Sequence, residues 1–346
     1  METQYSTAEL DELDRQLVHA LQIHPRAPWR LVGEVLGVDP VTVARRWRRL
    51  ESRGLAWVTA YPRLSDARNA VTAVVEIETE AGAARQVAAG LASEPWIVTI
   101  KHTTGARDLV VTVQAPDLDS LTGRLSRSMS TVPGVRATRT HLATLIPTEG
   151  SRWRLRSLDR EQRVRMEQAA PDVRPRPADP WQEVDARLVA LLSTDGRMSA
   201  ADLAAGAGTS VTTVRRRLDA LIGSRVNLRC DLARPMSGWP VSAVYFASVP
   251  AERAQETTEA LARVAEIRSC GIFAGPHNLI IDAWLRELSE VYTLEAHLSG
   301  RITRLVVHDR CVVLNTSKHM GRVLGGDGRC VGTVPMDLWS ATSASS

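Results

Sequence analysis

Two segments of this chain gather arginines and hydroxyl groups at helical spacing, and one loop brings a glycine and a carboxylate together. Thr42, Arg45, Arg46 and Arg49 follow Asp39-Pro40, an N-cap residue and a proline suited to the first helical position. Thr212, Thr213, Arg215, Arg216 and Arg217 follow Ser210 in the same way. Arginine can hold guanine O6 and N7, or a phosphate, with two hydrogen bonds, and threonine can meet a phosphate or a thymine methyl. The chemistry on offer is polyanion binding. An arginine run is also what a solvated helix face looks like, but a capped turn, a glycine and two aligned copies favour DNA contact. The loop Thr104-Gly105-Ala106-Arg107-Asp108 offers something different: a backbone that a partner can approach and a carboxylate able to take an ammonium or an N–H. Spacing alone favours a structural Gly-Asp hairpin there. Its counterpart reads Ala274-Gly275-Pro276-His277-Asn278, with Asn in place of Asp.

The elements that must carry these residues occur twice. Residues 13–55 align without a gap on 184–226 with 11 identities in 43 positions, among them Asp14/Asp185, Arg26/Arg197, Gly37/Gly208, Thr42/Thr213, Arg45/Arg216 and Arg46/Arg217. In the first copy Leu10, Leu13, Leu17 and Leu21 form one apolar helical face, Gly37 permits a tight turn, and Val43, Trp47 and Leu50 point inward on a third helix. The pattern is a helix-turn-helix. In such a unit the second helix of the motif enters the major groove, which assigns the Thr and Arg residues above to DNA. After each triplet of helices the periodicity reads β-α-β-β-α-β, the ferredoxin-like plan, with Gly105 meeting Gly275 and Leu109 meeting Leu279 at an offset of 170. The fold class is therefore α+β: two winged helix-turn-helix domains alternating with two ferredoxin-like domains. The expected boundaries are 8–62 and 63–150 for the first copy and 181–235 and 236–320 for the second. Residues 151–180 read as a charged, Pro-rich spacer, and 321–346 as a flexible tail.

Charge is uneven along the 346 residues. Residues 12–62 and 151–180 each carry eight arginines against five acids, whereas 64–148 balance eight against eight and 239–319 carry eight basic against nine acidic. The third helices differ too, because Asp219 and Ala220 stand where the first copy has Arg48 and Arg49. The first copy is thus expected to dominate DNA reading. The four cysteines lack a metal-ligand spacing, the N-terminus is polar, and no apolar run reaches membrane-spanning length. These features suggest a cytoplasmic chain with incidental thiols and no membrane partner.

The run Leu13-Asp14, Leu17, Leu21, Pro25-Arg26, then Leu36-Gly37-Val38-Asp39-Pro40-Val41-Thr42-Val43, Arg46, Leu50-Glu51 and Gly54-Leu55, resembles the DNA-binding domain of the Lrp/AsnC family of transcription regulators. Gly105-Ala106-Arg107-Asp108-Leu109 resembles that family's Gly-x-x-Asp loop. The chain looks like two such proteins fused in tandem. The resemblance implies a non-enzymatic regulator with no cofactor. Its effector would be an amino acid or related small molecule, near Thr104, Gly105 and Asp108 and, in the second copy, Gly275 and Asn278. It also implies self-association through the ferredoxin-like sheets, within one chain or between chains. Sirohaem decarboxylases share the two-domain plan, and fused pairs exist. The sequence His277-Asn278 followed by Trp284 is faintly similar to theirs, which would make His102, His141, His277 and His308 candidates for an enzyme reading.

Overall fold

In the computed structural model, which describes residues 10–62, 70–148, 150, 153–171 and 181–336, each expected element is present. Asp11 and Asp14 exchange side-chain-to-backbone hydrogen bonds, a capping box that starts α1 (Glu12–Ile23). α2 (Trp29–Leu36) stops at Gly37, left-handed at φ 67°, and α3 (Pro40–Ser52) begins where the Asp39 carboxylate accepts from the Val41 N–H. Val43, Trp47 and Leu50 bury against Leu17, Leu21, Val32 and Val35. β1 (Ala56–Pro62) follows. The first ferredoxin-like unit is β2 (Val71–Thr79), α4 (Ala84–Ala92), β3 (Ile97–Thr103), β4 (Leu109–Ala115), α5 (Leu118–Arg124) and β5 (Val135–Thr148). α6 (Arg160–Ala169) leads to the second set of helices, α7 (Glu183–Thr194), α8 (Ala200–Ala207) and α9 (Val211–Leu221), and then β6 (Val226–Leu232). The second ferredoxin-like unit is β7 (Val241–Ser248), α10 (Ala254–Leu261), β8 (Ile267–Ala274), β9 (Leu279–Leu285), α11 (Glu290–Arg301) and β10 (Val306–His319). β11 (Arg322–Leu324) and β12 (Cys330–Thr333) follow it.

The copies pair within the chain. Each ferredoxin-like unit forms its own four antiparallel strands, β3-β4-β2-β5 and β8-β9-β7-β10. The last strand of each is 14 residues long and serves two partners. β5 pairs with β2 over Val135–Leu142 and with β8 over Leu142–Thr148. β10 pairs with β7 over Val306–Val312 and with β3 over Val313–His319. These two crossings close eight strands into a ring, which leaves no free edge between the units. Val74 and Val110 meet Val244, Phe246, Phe273, Ile280, Cys311 and Val313 inside it.

The helix-turn-helix units are joined by the same pseudo-twofold logic. The strand after each third helix pairs with its counterpart, β1 antiparallel to β6. Arg26 donates to the carbonyls of Gly196 (2.6 Å) and Met198 (2.9 Å), and Arg197 donates to those of Pro25 (2.6 Å) and Ala27 (2.8 Å). The Arg197 guanidinium also lies 3.8 Å from the Trp29 ring centre.

Two expectations are corrected. Residues 153–171 are not a spacer but part of the core of the first helix-turn-helix unit: Trp153, Leu155, Leu158 and Met166 are buried in it. The Leu155 N–H donates to Gln22 (2.8 Å) and the Leu158 N–H to His19 Nδ1 (2.9 Å). The apolar residues that do this are spaced too irregularly to register as a periodic element. The Pro-rich run 172–180 lies outside the described residues. The tail expected from 321 also begins too early. β11 and β12 pair with each other, Cys330 approaches Gly54 through an N–H···O bond of 2.9 Å, and Arg322 donates to the carbonyls of Val58, Ser193 and Thr194. Gly and Ser content masked these tertiary contacts; residues 337–346 lie outside the described part.

Two measurements check this account. Arg197→Ala should lower the free energy of unfolding by about 2–3 kcal/mol in urea titrations, because it strips charge-assisted bonds from two carbonyls. Arg26→Ala should act similarly. Burial, followed by the charges of Arg154, Arg163 and Arg156, lowers the His19 pKa from 6.5 to about 4. The unfolded chain therefore takes up this proton first as pH falls. Stability should be complete above pH 6.5 and decline as pH drops towards 4. His19→Gln should flatten that decline, and an unaltered pH profile would remove His19 from the explanation.

Candidate functional site

The third helices place the predicted DNA contacts unequally. Arg45 is exposed at the centre of α3, with exposed Arg48 beside it and Thr42 half-buried. Thr212, Arg215 and Arg216 are exposed on α9, while Thr213 is half-buried and its hydroxyl sits 3.0 Å from the Ser210 cap. Arg45, Arg215 and Arg216 make no ion pair among the described residues. Arg46, Arg49 and Arg217 are different, and here the sequence reading is corrected. Arg46 binds Asp11 (2.6 Å) and the buried Asp14 (3.0 Å), and Arg49 also pairs with Asp14. Arg217 is buried in a bidentate pair with Asp185. These three arginines tie the recognition helix to the first helix of the unit. A carboxylate buried on α1 or α7 requires a cation, and the third helix of the same unit supplies it. The repeat identities Asp14/Asp185 and Arg46/Arg217 mark this pair. Sequence reasoning missed Val41, which is 70% exposed at the start of α3 and available to a thymine methyl.

The predicted loop residues are held by the fold. The Asp108 carboxylate accepts from the Thr79 N–H (2.7 Å) and the Thr79 hydroxyl (3.0 Å). In the second copy Val249 stands at the position of Thr79 and has no hydroxyl. Asn278 there accepts from the Val249 N–H (3.0 Å) and donates to its carbonyl (2.8 Å). The Asp-to-Asn difference thus follows a change in the partner. Thr104 belongs to the crossing between copies, with its N–H and hydroxyl bonded to Val312. Gly105 (φ 94°) and Gly275 (φ 141°) are exposed at the loop tips, in conformations that side chains rarely adopt.

Two polar groups lie in the ring; the sequence singles out His141, His277 and His308 one by one but not the clusters they and their neighbours form. At one end Arg107, 6% exposed, pairs with Glu76 and with Asp309 of the other copy, over the Phe246 ring at 4.5 Å. His141 bonds Glu76 at 2.6 Å, and the His277 ring stands 6.5 Å from His141 and 5.0 Å from His308. His308 bonds Ser248, and His102 lies apart, bonded to Ser317. Among the described residues no group of three or more side chains is arranged to hold a metal ion.

At the other end a cavity of about 150 Å³ is lined by Tyr61, Thr72, Lys101, Asp282, Arg229, Arg268 and His319, among others. Lys101 bridges the copies to Asp282 at 2.7 Å. Behind the cavity Asp231 is fully buried. Burial opposes its ionisation, yet Arg229, Arg268 and His319 hold its carboxyl well below the ordinary range. The Arg268 guanidinium stands 4.4 Å from the Trp284 ring centre and 5.1 Å from that of Trp153.

A duplicated helix-turn-helix protein with paired ligand-domain-type sheets is the class these features define. Residues 10–51 and 183–222 match the AsnC-type helix-turn-helix domain, and 72–152 match the Lrp/AsnC ligand binding domain. The chain belongs to the Lrp/AsnC family, in a tandem arrangement whose second ligand domain is evident from its structure. HTH-type transcriptional regulator FL11 of Pyrococcus horikoshii is 29% identical over 134 residues, which is 38% of this chain and 87% of the regulator. FL11 of Pyrococcus furiosus is 27% identical over 141 residues, 40% of this chain and 93% of that protein. The crystal structure of the siroheme decarboxylase NirDL aligns over 90% of this chain and 93% of its own with a TM-score of 0.57; at 12% identity this shows a shared fold alone.

The loop geometry makes its own prediction. Asp108→Asn should leave the midpoint of thermal unfolding nearly unchanged. Asp108→Ala should cost about 1–3 kcal/mol, because the Thr79 N–H loses its acceptor.

Proposed function

We propose that this chain is a DNA-binding transcription regulator whose two recognition helices form one fixed pair, and that a small molecule modulates it. A single observation carries the reading. On each recognition helix one set of arginines is neutralised against the helix-turn-helix core, while Arg45, Arg48, Arg215 and Arg216 are left exposed. Cations that stabilise the unit and cations that face outward are separate residues, and the outward set suits phosphates and base edges. Thr42, Thr212 and Val41 supply contacts of smaller reach. The antiparallel β1–β6 pair and the Arg26/Arg197 clasp fix the two helices relative to each other, as a dimeric helix-turn-helix protein would. Because α9 has Asp219 at the position of Arg48, the two half-sites it reads would differ, giving a DNA site without true palindromy.

An alternative reading as a tetrapyrrole enzyme draws on the NirDL fold and the His141, His277 and His308 rings. Titration of the purified chain with sirohaem, followed by absorption spectroscopy, separates the two readings: stoichiometric binding with product formation would favour the enzyme.

The test uses DNA selected from a random-sequence pool and anisotropy titrations at several salt concentrations. Arg45→Ala should weaken binding and lower the salt slope by about one counterion, with the melting curve unchanged. A double Arg215→Ala, Arg216→Ala variant should do the same more weakly. Arg46→Ala should lower thermal stability instead. Unchanged affinity in the Arg45 and Arg215/Arg216 variants would sink the proposal.

A further inference from the structure

We infer that the polar cavity between β3, β4, β8 and β9 is a binding site for a small carboxylate anion, placed to act on the strand pair that joins the DNA-binding units. The regulatory half of this inference rests on the function proposed above; the binding half stands without it.

The cavity is built rather than incidental. Arg229 (5% exposed), Arg268 (2%) and Thr72 (6%) line it, and each is more than nine-tenths buried. Their carboxylate partner accounts for only some of their donors. Arg268 Nη2 donates to Asp231 Oδ1 and Arg229 Nε makes an ion pair with Asp231 Oδ2, while Arg229 Nη2, Arg268 Nε and the Thr72 hydroxyl, like Asp231 Oδ2 itself, have no hydrogen-bond partner. Buried donors left unpaired are costly, so an acceptor-rich occupant is favoured.

Charge points the same way. Lys101, Arg229 and Arg268 face two carboxylates, Asp282 and Asp231, both already engaged. Among the described residues that line or back the cavity, three cations therefore face two carboxylates with His319 neutral. A carboxylate has the charge, and its lone pairs can take several N–H donors at once. The volume of about 150 Å³ admits a small organic acid or an amino acid and no larger cofactor.

The position gives such a ligand leverage. Tyr61 and Pro62 end β1, and Arg229 lies on β6 opposite Thr59. Those strands are the antiparallel pair between the two helix-turn-helix units. Lys101 and Asp282 come from opposite copies, so one bound molecule touches both sheets and both wing strands. A ligand that draws Arg229 towards the cavity changes a contact of the strand pair. Any coupling to DNA affinity must then be reciprocal.

Malonate and L-alanine are suitable probes, with sulfate as the plain anion, on the full-length chain without DNA. Calorimetry should show one malonate or one alanine per chain and a raised melting temperature. Thr72→Val keeps shape and removes one donor, so it should weaken binding about tenfold or more. Thr112→Ile replaces a cavity-lining hydroxyl with a bulkier ethyl group and should abolish binding while keeping the melting curve. Absence of heat and of thermal shift with both organic acids, as expected for a water-filled cavity, would overturn the site. Binding of sulfate as tightly as malonate would overturn its carboxylate character. Equal affinity in Thr72→Val and the parent would move the ligand elsewhere. In a separate anisotropy titration on selected DNA, saturating ligand should shift DNA affinity in the parent and leave Thr112→Ile unaffected. An unshifted parent overturns the regulatory half alone, and a protein that binds ligand but no DNA overturns the proposed function and not the site.

Discussion

Two long strands decide the architecture. β5 and β10 each run past the end of their own sheet and pair with the first edge of the other, closing eight strands into a ring. Neither ferredoxin-like unit could leave such an edge open without exposing unpaired backbone groups, and each unit covers the other's. The other inter-copy contacts depend on this closure. The β1–β6 pair, the Arg26/Arg197 clasp and the Lys101–Asp282 bridge all require that the copies face each other across one axis. What separate chains achieve by association is here covalent, so the effective concentration of one copy for the other is set by the chain and not by protein concentration.

That closure also buries charge. Arg107 with Glu76 and Asp309 at one end of the ring, and Arg229 and Arg268 with Asp231 at the other, bracket an apolar middle of Val74, Phe246, Phe273 and Cys311. Charges buried in this way are poor contributors to net stability, because desolvation offsets most of their attraction. Their effect is on pairing specificity: Glu76 and Arg107 come from one copy and Asp309 from the other, so a displaced register would strand a charge. The linker residues Trp153, Leu155 and Leu158 extend the same principle to the first DNA-binding unit, which is finished by chain that belongs to neither repeat.

The duplicated arginines show why identity between repeats is a mixed signal. Arg26/Arg197 and Arg46/Arg217 are identical across the copies because the fold needs them, as clasp and as counter-ion to a buried aspartate. Arg45/Arg216 is identical and exposed, which is the pattern that the proposed DNA contact uses. Spacing at i and i+1 on one helix cannot tell these apart, since adjacent residues sit about 100° apart and face different environments. The Gly-x-x-Asp loop teaches the same point from the opposite side. Asp108 and Asn278 differ in charge yet do one job, holding the loop to the end of the first strand.

The sequence by itself determined the duplication, the type and order of the elements, and the caps and turns, because periodicity, Asp39-Pro40, Gly37 and Gly208 act over a few residues. It also placed Val43, Trp47 and Leu50 on the inward face of α3 correctly, since helical spacing alone assigns them to one face. It could not say which arginines were consumed by the core, because the deciding partners, Asp14 and Asp185, lie 32 residues or more away. The packed linker, the strands beyond residue 321 and the polar cavity were hidden for the same reason. Each is made by side chains from distant segments that share no local pattern and meet only when the two copies close on each other.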